Sequence, residues 1–87
     1  MTQPRLWVDE IREALSSLGG SASLSDIYAQ IWQRNNMDFV ENPHWRDAVR
    51  RTIQQHSSDS TIFTGIPADD IFWAPLGLGA GIWALRT

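Results

Sequence analysis

The chain has no cysteine, no lysine and no apolar stretch long enough to span a bilayer. Without cysteine, disulfides and thiolate metal sites are excluded, and nothing points to an oxidising compartment. Two histidines alone cannot build a structural zinc site of the usual kinds. Without lysine there is no Walker phosphate loop and no PD-(D/E)xK nuclease centre, because both need that ammonium group. No Gly-x-Ser-x-Gly elbow is present for a hydrolase. Asp69-Asp70 could help hold a metal, but an adjacent acidic pair in a turn is more often solvated. No enzyme and no cofactor are therefore expected. Residues 1–4 are polar and the apolar residues after them are spaced, so no signal peptide is expected either.

What is present is a dense apolar set. Of 87 residues, 43% are hydrophobic and 20% charged, which indicates a folded domain and not a disordered tail. A chain of this length buries roughly 60–65% of its unfolded surface, so its core must be efficient. Five Trp and three Phe supply large apolar area from few positions. The chain is expected to form a single domain over residues 1–87, excised from or fused to a larger protein.

Periodicity sets the order of elements. Trp7, Ile11, Ala14, Leu15 and Leu18 share one helical face, opposite Asp9, Arg12, Glu13 and Ser16. This predicts a helix over 5–18, with Thr2 or Gln3 as cap, Pro4 in the first turn and Gly19-Gly20 as stop. Ser21-Ala22-Ser23 is short and extended. Ser23 and Asp26 form a weak capping box for a second helix over 24–34, with Leu24, Ile27, Tyr28 and Ile31 on its stripe. Asn42 is the expected cap and Pro43 the first turn of a third helix over 42–56. Ile62-Phe63 suggests a short strand. Residues 71–74 and 82–86 suggest an antiparallel hairpin with a glycine-rich tip over 76–81.

The third helix carries the chemistry. At 100° per residue, Trp45, Ala48, Val49, Thr52, Ile53 and His56 fall on one side, and Arg46, Asp47, Arg50, Arg51 and Gln54 on the other. That is a cationic helix on a chain of formal net charge -3 whose seven basic residues are all Arg. Guanidinium suits bidentate contacts to guanine and phosphate. A GC-rich genome would produce the same bias. The order helix, short strand, helix, helix, hairpin implies an α+β, mainly α, winged helix-turn-helix: three helices and a C-terminal wing of two or three strands.

Four blocks carry a resemblance: Leu18-Gly19-Gly20; Leu24-x-x-Ile27-Tyr28; Trp45-x-x-x-Val49-Arg50-x-Thr52-Ile53-Gln54-x-His56-Ser57-Ser58; and Gly81-x-Trp83-x-Leu85-Arg86. Together they resemble winged-helix domains attached to prokaryotic restriction-type endonucleases, particularly HNH enzymes. The resemblance spans nearly the whole chain. It implies a domain that reads double-stranded DNA, in some relatives sensing 5-methylcytosine, and that targets a fused or associated nuclease in the prokaryotic cytoplasm, at the nucleoid. No membrane partner is expected.

Under this reading Arg50 or Arg51 grips guanine O6 and N7, and Gln54 pairs with adenine N6 and N7. Asp47 accepts from cytosine N4 or steers a neighbouring arginine through a helical ion pair. Arg46 belongs to the same face. His44 contacts a phosphate or is simply solvated. Ser57 and Ser58 donate to phosphates or only form the turn. Leu76 and Leu78 at the wing tip wedge into a minor groove, touch a base methyl or pack on a neighbouring domain. Trp32 and Trp73, off the main stripes, are candidates for an aromatic pocket holding a flipped or modified base, or for peripheral packing. A second class of function remains open: a winged helix that docks another protein without reading DNA.

Overall fold

The computed structural model describes residues 5–86. These form a small, mainly helical α+β fold: α1 (Trp7–Ser17), β1 (Ser21–Ser23), α2 (Leu24–Arg34), α3 (Trp45–Gln55), β2 (Phe72–Trp73) and β3 (Ile82–Leu85). The sheet is antiparallel in the order β1-β3-β2. Ala22 lies opposite Trp83, and Phe72 opposite Leu85. The strand nearest the N-terminus thus joins the hairpin across its last strand, making three strands. Thr2, Gln3 and Pro4, the expected start of the first helix, lie outside the described residues.

Local devices bound α1 and α2. Leu15 and Ser16 carbonyls receive Gly20 and Gly19 N–H at 2.8 and 3.1 Å, the paired bonds of a Schellman stop. Gly20 has φ +93, a region that a side chain would strain, and there the chain turns into β1. Ser23 Oγ accepts the Asp26 N–H at 3.1 Å and caps α2. Asn35 closes α2 in the left-handed region at φ 52.

The start of α3 departs from the sequence reading. Asn42 is not its cap. The Asn42 side chain donates back to the Asp38 carbonyl at 2.8 Å, and its own carbonyl accepts Trp45 N–H. Residues 43–44 form a turn, and the helix begins at Trp45. Ile62-Phe63 forms no strand. Phe63 N–H bonds to the Ser60 carbonyl in a run of turns, and Ile62 is exposed. The hairpin strands are shorter than expected, and a single 3-10 turn, Leu78–Ala80, occupies the tip.

The core lies between the three helices and one face of the sheet. Ile11, Leu15, Ile27, Ile31, Trp45, Val49, Ile53, Phe72 and Trp83 are buried. Trp7 stacks on Trp45 at 6.5 Å between ring centroids, and the Tyr28 ring meets Trp45 edge-on at 5.9 Å. Trp45 therefore anchors α3 to both other helices, which fixes which face of α3 points outward.

One charged side chain sits within the packing of α1. Glu10 is fully buried. Its carboxylate accepts from Arg34 Nε at 2.8 Å, Arg5 Nε at 2.9 Å and Asn36 Nδ2 at 3.4 Å. Arg5 and Arg34 both also pair with Glu13. Burial pushes the Glu10 carboxyl pKa up, but the hydrogen bonds from Arg34, Arg5 and Asn36 outweigh it and hold the group below its ordinary value. This cluster ties the C-terminal end of α2 to α1. Among the described residues no helix is long and apolar enough to cross a membrane.

Candidate nucleic-acid interface

Burying Trp45, Val49 and Ile53 leaves the opposite side of α3 to solvent. Arg46, Asp47, Arg50 and Arg51 are exposed there, as the periodicity requires, while Gln54 is half-buried. The Arg46 guanidinium lies over the Trp45 ring, 4.6 Å from its centroid, a cation–π contact that gives the side chain a fixed platform. Arg50 Nη2 stands 3.6 Å from Asp47 Oδ1, so the helical ion pair forms with Arg50. Among the described residues Arg46 and Arg51 make no ion pair. Three guanidinium groups along one helix make a cationic strip on an otherwise acidic chain.

α2 also contributes a side chain. Burial pushes the Tyr28 phenol up; Arg50 and Arg46 pull it down and Asp47 pushes it up. Tyr28 therefore lies within the field of the α3 face. Its place on the apolar stripe of α2 concealed this. A phenol at the edge of such a stripe was the available signal.

At the N-terminal end His44 is exposed, and its carbonyl begins the helix by accepting Ala48 N–H at 3.2 Å. At the C-terminal end His56 is structural. Its Nδ1 lies 2.8 Å from the Thr52 carbonyl, and its own carbonyl accepts Ile71 and Phe72 N–H at 2.8 and 2.9 Å. Those two bonds fasten the start of β2 to the end of α3.

Arg86 completes that junction. Its Nε donates to Asp70 Oδ1 at 2.9 Å and to the Phe72 carbonyl at 3.1 Å, and its Nη2 donates to Ser58 Oγ at 3.1 Å. Burial raises the Asp70 pKa, but bonds from Ser58 and Arg86 bring it below its ordinary value. Arg86 thus acts as a clamp between the hairpin and the turn after α3.

The two serines separate. Ser57 is buried and cannot reach a phosphate; its Oγ instead accepts Asp59 N–H at 3.3 Å under the turn. Ser58 is exposed, and its hydroxyl can still donate while accepting from Arg86. The hairpin tip carries Leu76 and Leu78, exposed at 72% and 49%, and no basic residue. It offers apolar contact and no phosphate clamp.

Trp32 and Trp73 do not share a pocket. Trp32 packs on Phe39 at 4.9 Å and edges an open depression of about 280 Å³ between α2 and α3, with Ser25, Tyr28 and Arg46. Trp73 edges a different open depression, on the outer face of the sheet, with Ser21, Ala84 and Arg86. Both depressions are open to solvent. Asp69 and Asp70 spend their carboxylates on Thr64, Ser58 and Arg86. Among the described residues no group of three or more His, Asp or Glu side chains gathers as a metal site.

No protein-family model, curated protein or solved structure matches the chain.

Proposed function

We propose that this domain is a winged helix that reads double-stranded DNA, with α3 in the major groove and the β2–β3 hairpin as its wing. The observation that carries the reading is the exposed strip of Arg46, Arg50 and Arg51 on a helix whose other side is locked into the core. Three further features support it. The order of helices and strands, α1-β1-α2-α3-β2-β3 with sheet order β1-β3-β2, puts the hairpin C-terminal to α3, past a 3-10 turn at Pro67–Asp69. His56 and Arg86 fix the hairpin to the end of that helix. A helix of this kind also fits the B-DNA major groove, where every base pair shows a distinct pattern. Strand cleavage, in this reading, belongs to an attached nuclease domain, as the resemblance implies.

One observation favours a second reading. The wing tip exposes two leucines and no cation, which suits contact with another protein. Salt separates the two. Duplex binding through about three phosphate contacts gives log affinity falling with log salt at a slope near −2.7. A protein interface depends on salt much less. The experiment is retention of a randomised duplex pool over a salt series, with and without cytosine methylation. A slope near zero, or no duplex retained, contradicts DNA reading. Enrichment of methylated duplexes supports methylcytosine sensing, and equal recovery removes it.

A further inference from the structure

We infer that Asp47 and Arg50 act together as a reader of one G·C base pair, Arg50 supplying donors and Asp47 the acceptor; this rests on the duplex reading above. The two side chains stand one turn apart on the exposed side of α3. Arg50 Nη2 and Asp47 Oδ1 are 3.6 Å apart, within ion-pair distance but beyond a formed hydrogen bond, so the carboxylate stands beside the guanidinium without consuming its N–H donors.

The pair has the complementary pattern to a G·C edge. In the major groove that edge presents two acceptors, guanine N7 and O6, followed by one donor, the cytosine N4 amino group. Guanine O6 and cytosine N4 are themselves hydrogen-bonded neighbours, so the protein groups that meet them must be neighbours too. A fork of donors beside an acceptor satisfies all three positions. An A·T edge presents acceptor, donor, acceptor and then a methyl group, and leaves a carboxylate facing thymine O4.

Charge makes the same point. Asp47 is the one acidic residue of α3, set among Arg46, Arg50 and Arg51. A carboxylate on a duplex-facing strip weakens attraction to every phosphate nearby. A first-turn acid also favours the helix dipole, but that effect is blind to DNA sequence. Discrimination between base pairs is the property that only the first role supplies.

The test selects duplexes from a randomised pool with the wild-type protein and then alters the selected site. The pool is expected to carry a fixed G·C pair. Replacing its guanine with hypoxanthine keeps the major-groove edge and should leave affinity unchanged. Replacing the pair with A·T should lower affinity about tenfold or more. Asp47→Ala should keep its helix content by circular dichroism and lose about tenfold of the preference for G·C at that position. The inference is overturned if Asp47→Ala changes affinity for all duplexes by one common factor, or if duplexes are bound without any fixed G·C pair; either result leaves DNA reading by α3 standing. Retention of no duplex by the wild-type protein overturns that reading and this inference together.

Discussion

Arg34→Met is expected to lower the unfolding free energy by about 3 kcal/mol, the lower end of what breaking a buried ion pair costs. Glu10 is fully buried, and Arg34 gives it its shortest hydrogen bond at 2.8 Å. Removing the guanidinium leaves a buried carboxylate with Arg5 and Asn36 only. The remaining Arg5 contact sets the loss at the lower end. For a domain of this size the melting temperature should fall by about 12 °C or more. The pH dependence identifies the cause. The folded pKa of Glu10 is depressed, so its ionisation stabilises the fold fully above the unfolded carboxylate pKa, about 4.3. That stability is lost as pH falls through the lower, folded value. In Arg34→Met, protonating Glu10 relieves the unpaired charge. The gap between wild type and variant should therefore be widest near neutrality and narrow in acid. Asp70 is also depressed, but it titrates alike in both proteins and cancels in the difference. Thermal melts across this range check the expectation; a gap of equal size in acid and at neutrality would assign the loss to packing instead. Arg34→Lys, which keeps charge and loses the planar fork, should fall between the two.

The double substitution Arg50→Ala with Arg51→Ala should lower duplex affinity about a hundredfold, since one bidentate base contact carries roughly 1–3 kcal/mol and a second guanidinium is lost with it. The salt slope should become shallower by about one for each phosphate that the variant no longer neutralises. Both side chains are exposed, so stability should stay within about 0.5 kcal/mol of wild type. A large drop in affinity on an unchanged melting curve is the signature of an interface residue. Wild-type affinity in the double variant, measured by fluorescence anisotropy, would exclude the α3 strip as the reader.

Much of this arrangement was legible in the chain. The bounds of α2 match the sequence reading because both ends carry local signals, a serine cap and an asparagine able to take positive φ. The two faces of α3 follow from a period of 3.6 and needed no tertiary knowledge. Its start did not follow, because an Asn-Pro dipeptide opens a turn as readily as a helix; Asp38 drew the Asn42 side chain backward. Ile62-Phe63 has strand propensity, yet neither sheet edge takes it up, and propensity without a partner makes no strand.

Residues fixed by distant partners were the least visible. Glu10 falls on the apolar stripe between Trp7 and Ala14, a conflict the sequence does display, but Arg34 is 24 positions away and a single chain does not announce the pairing. Arg86 is the same case, 16 positions from Asp70 and 28 from Ser58. Of the two roles open to Ser57, the structure shows the turn: its hydroxyl accepts its own turn's N–H and is satisfied when buried, which hydrophilicity alone does not reveal. Trp32 and Trp73 share a residue type and an off-stripe position, and nothing in the sequence separates the α2–α3 side from the outer face of the sheet.

The most direct test follows backbone amide shifts of the labelled domain during titration with a selected duplex. Insertion of the α3 strip should move the signals of residues 46–54 and of Tyr28 most, with smaller changes at the hairpin tip and none at the Glu10 cluster. Shifts confined to the leucine-bearing tip or to the outer face of the sheet, with α3 silent, would contradict duplex reading by this helix.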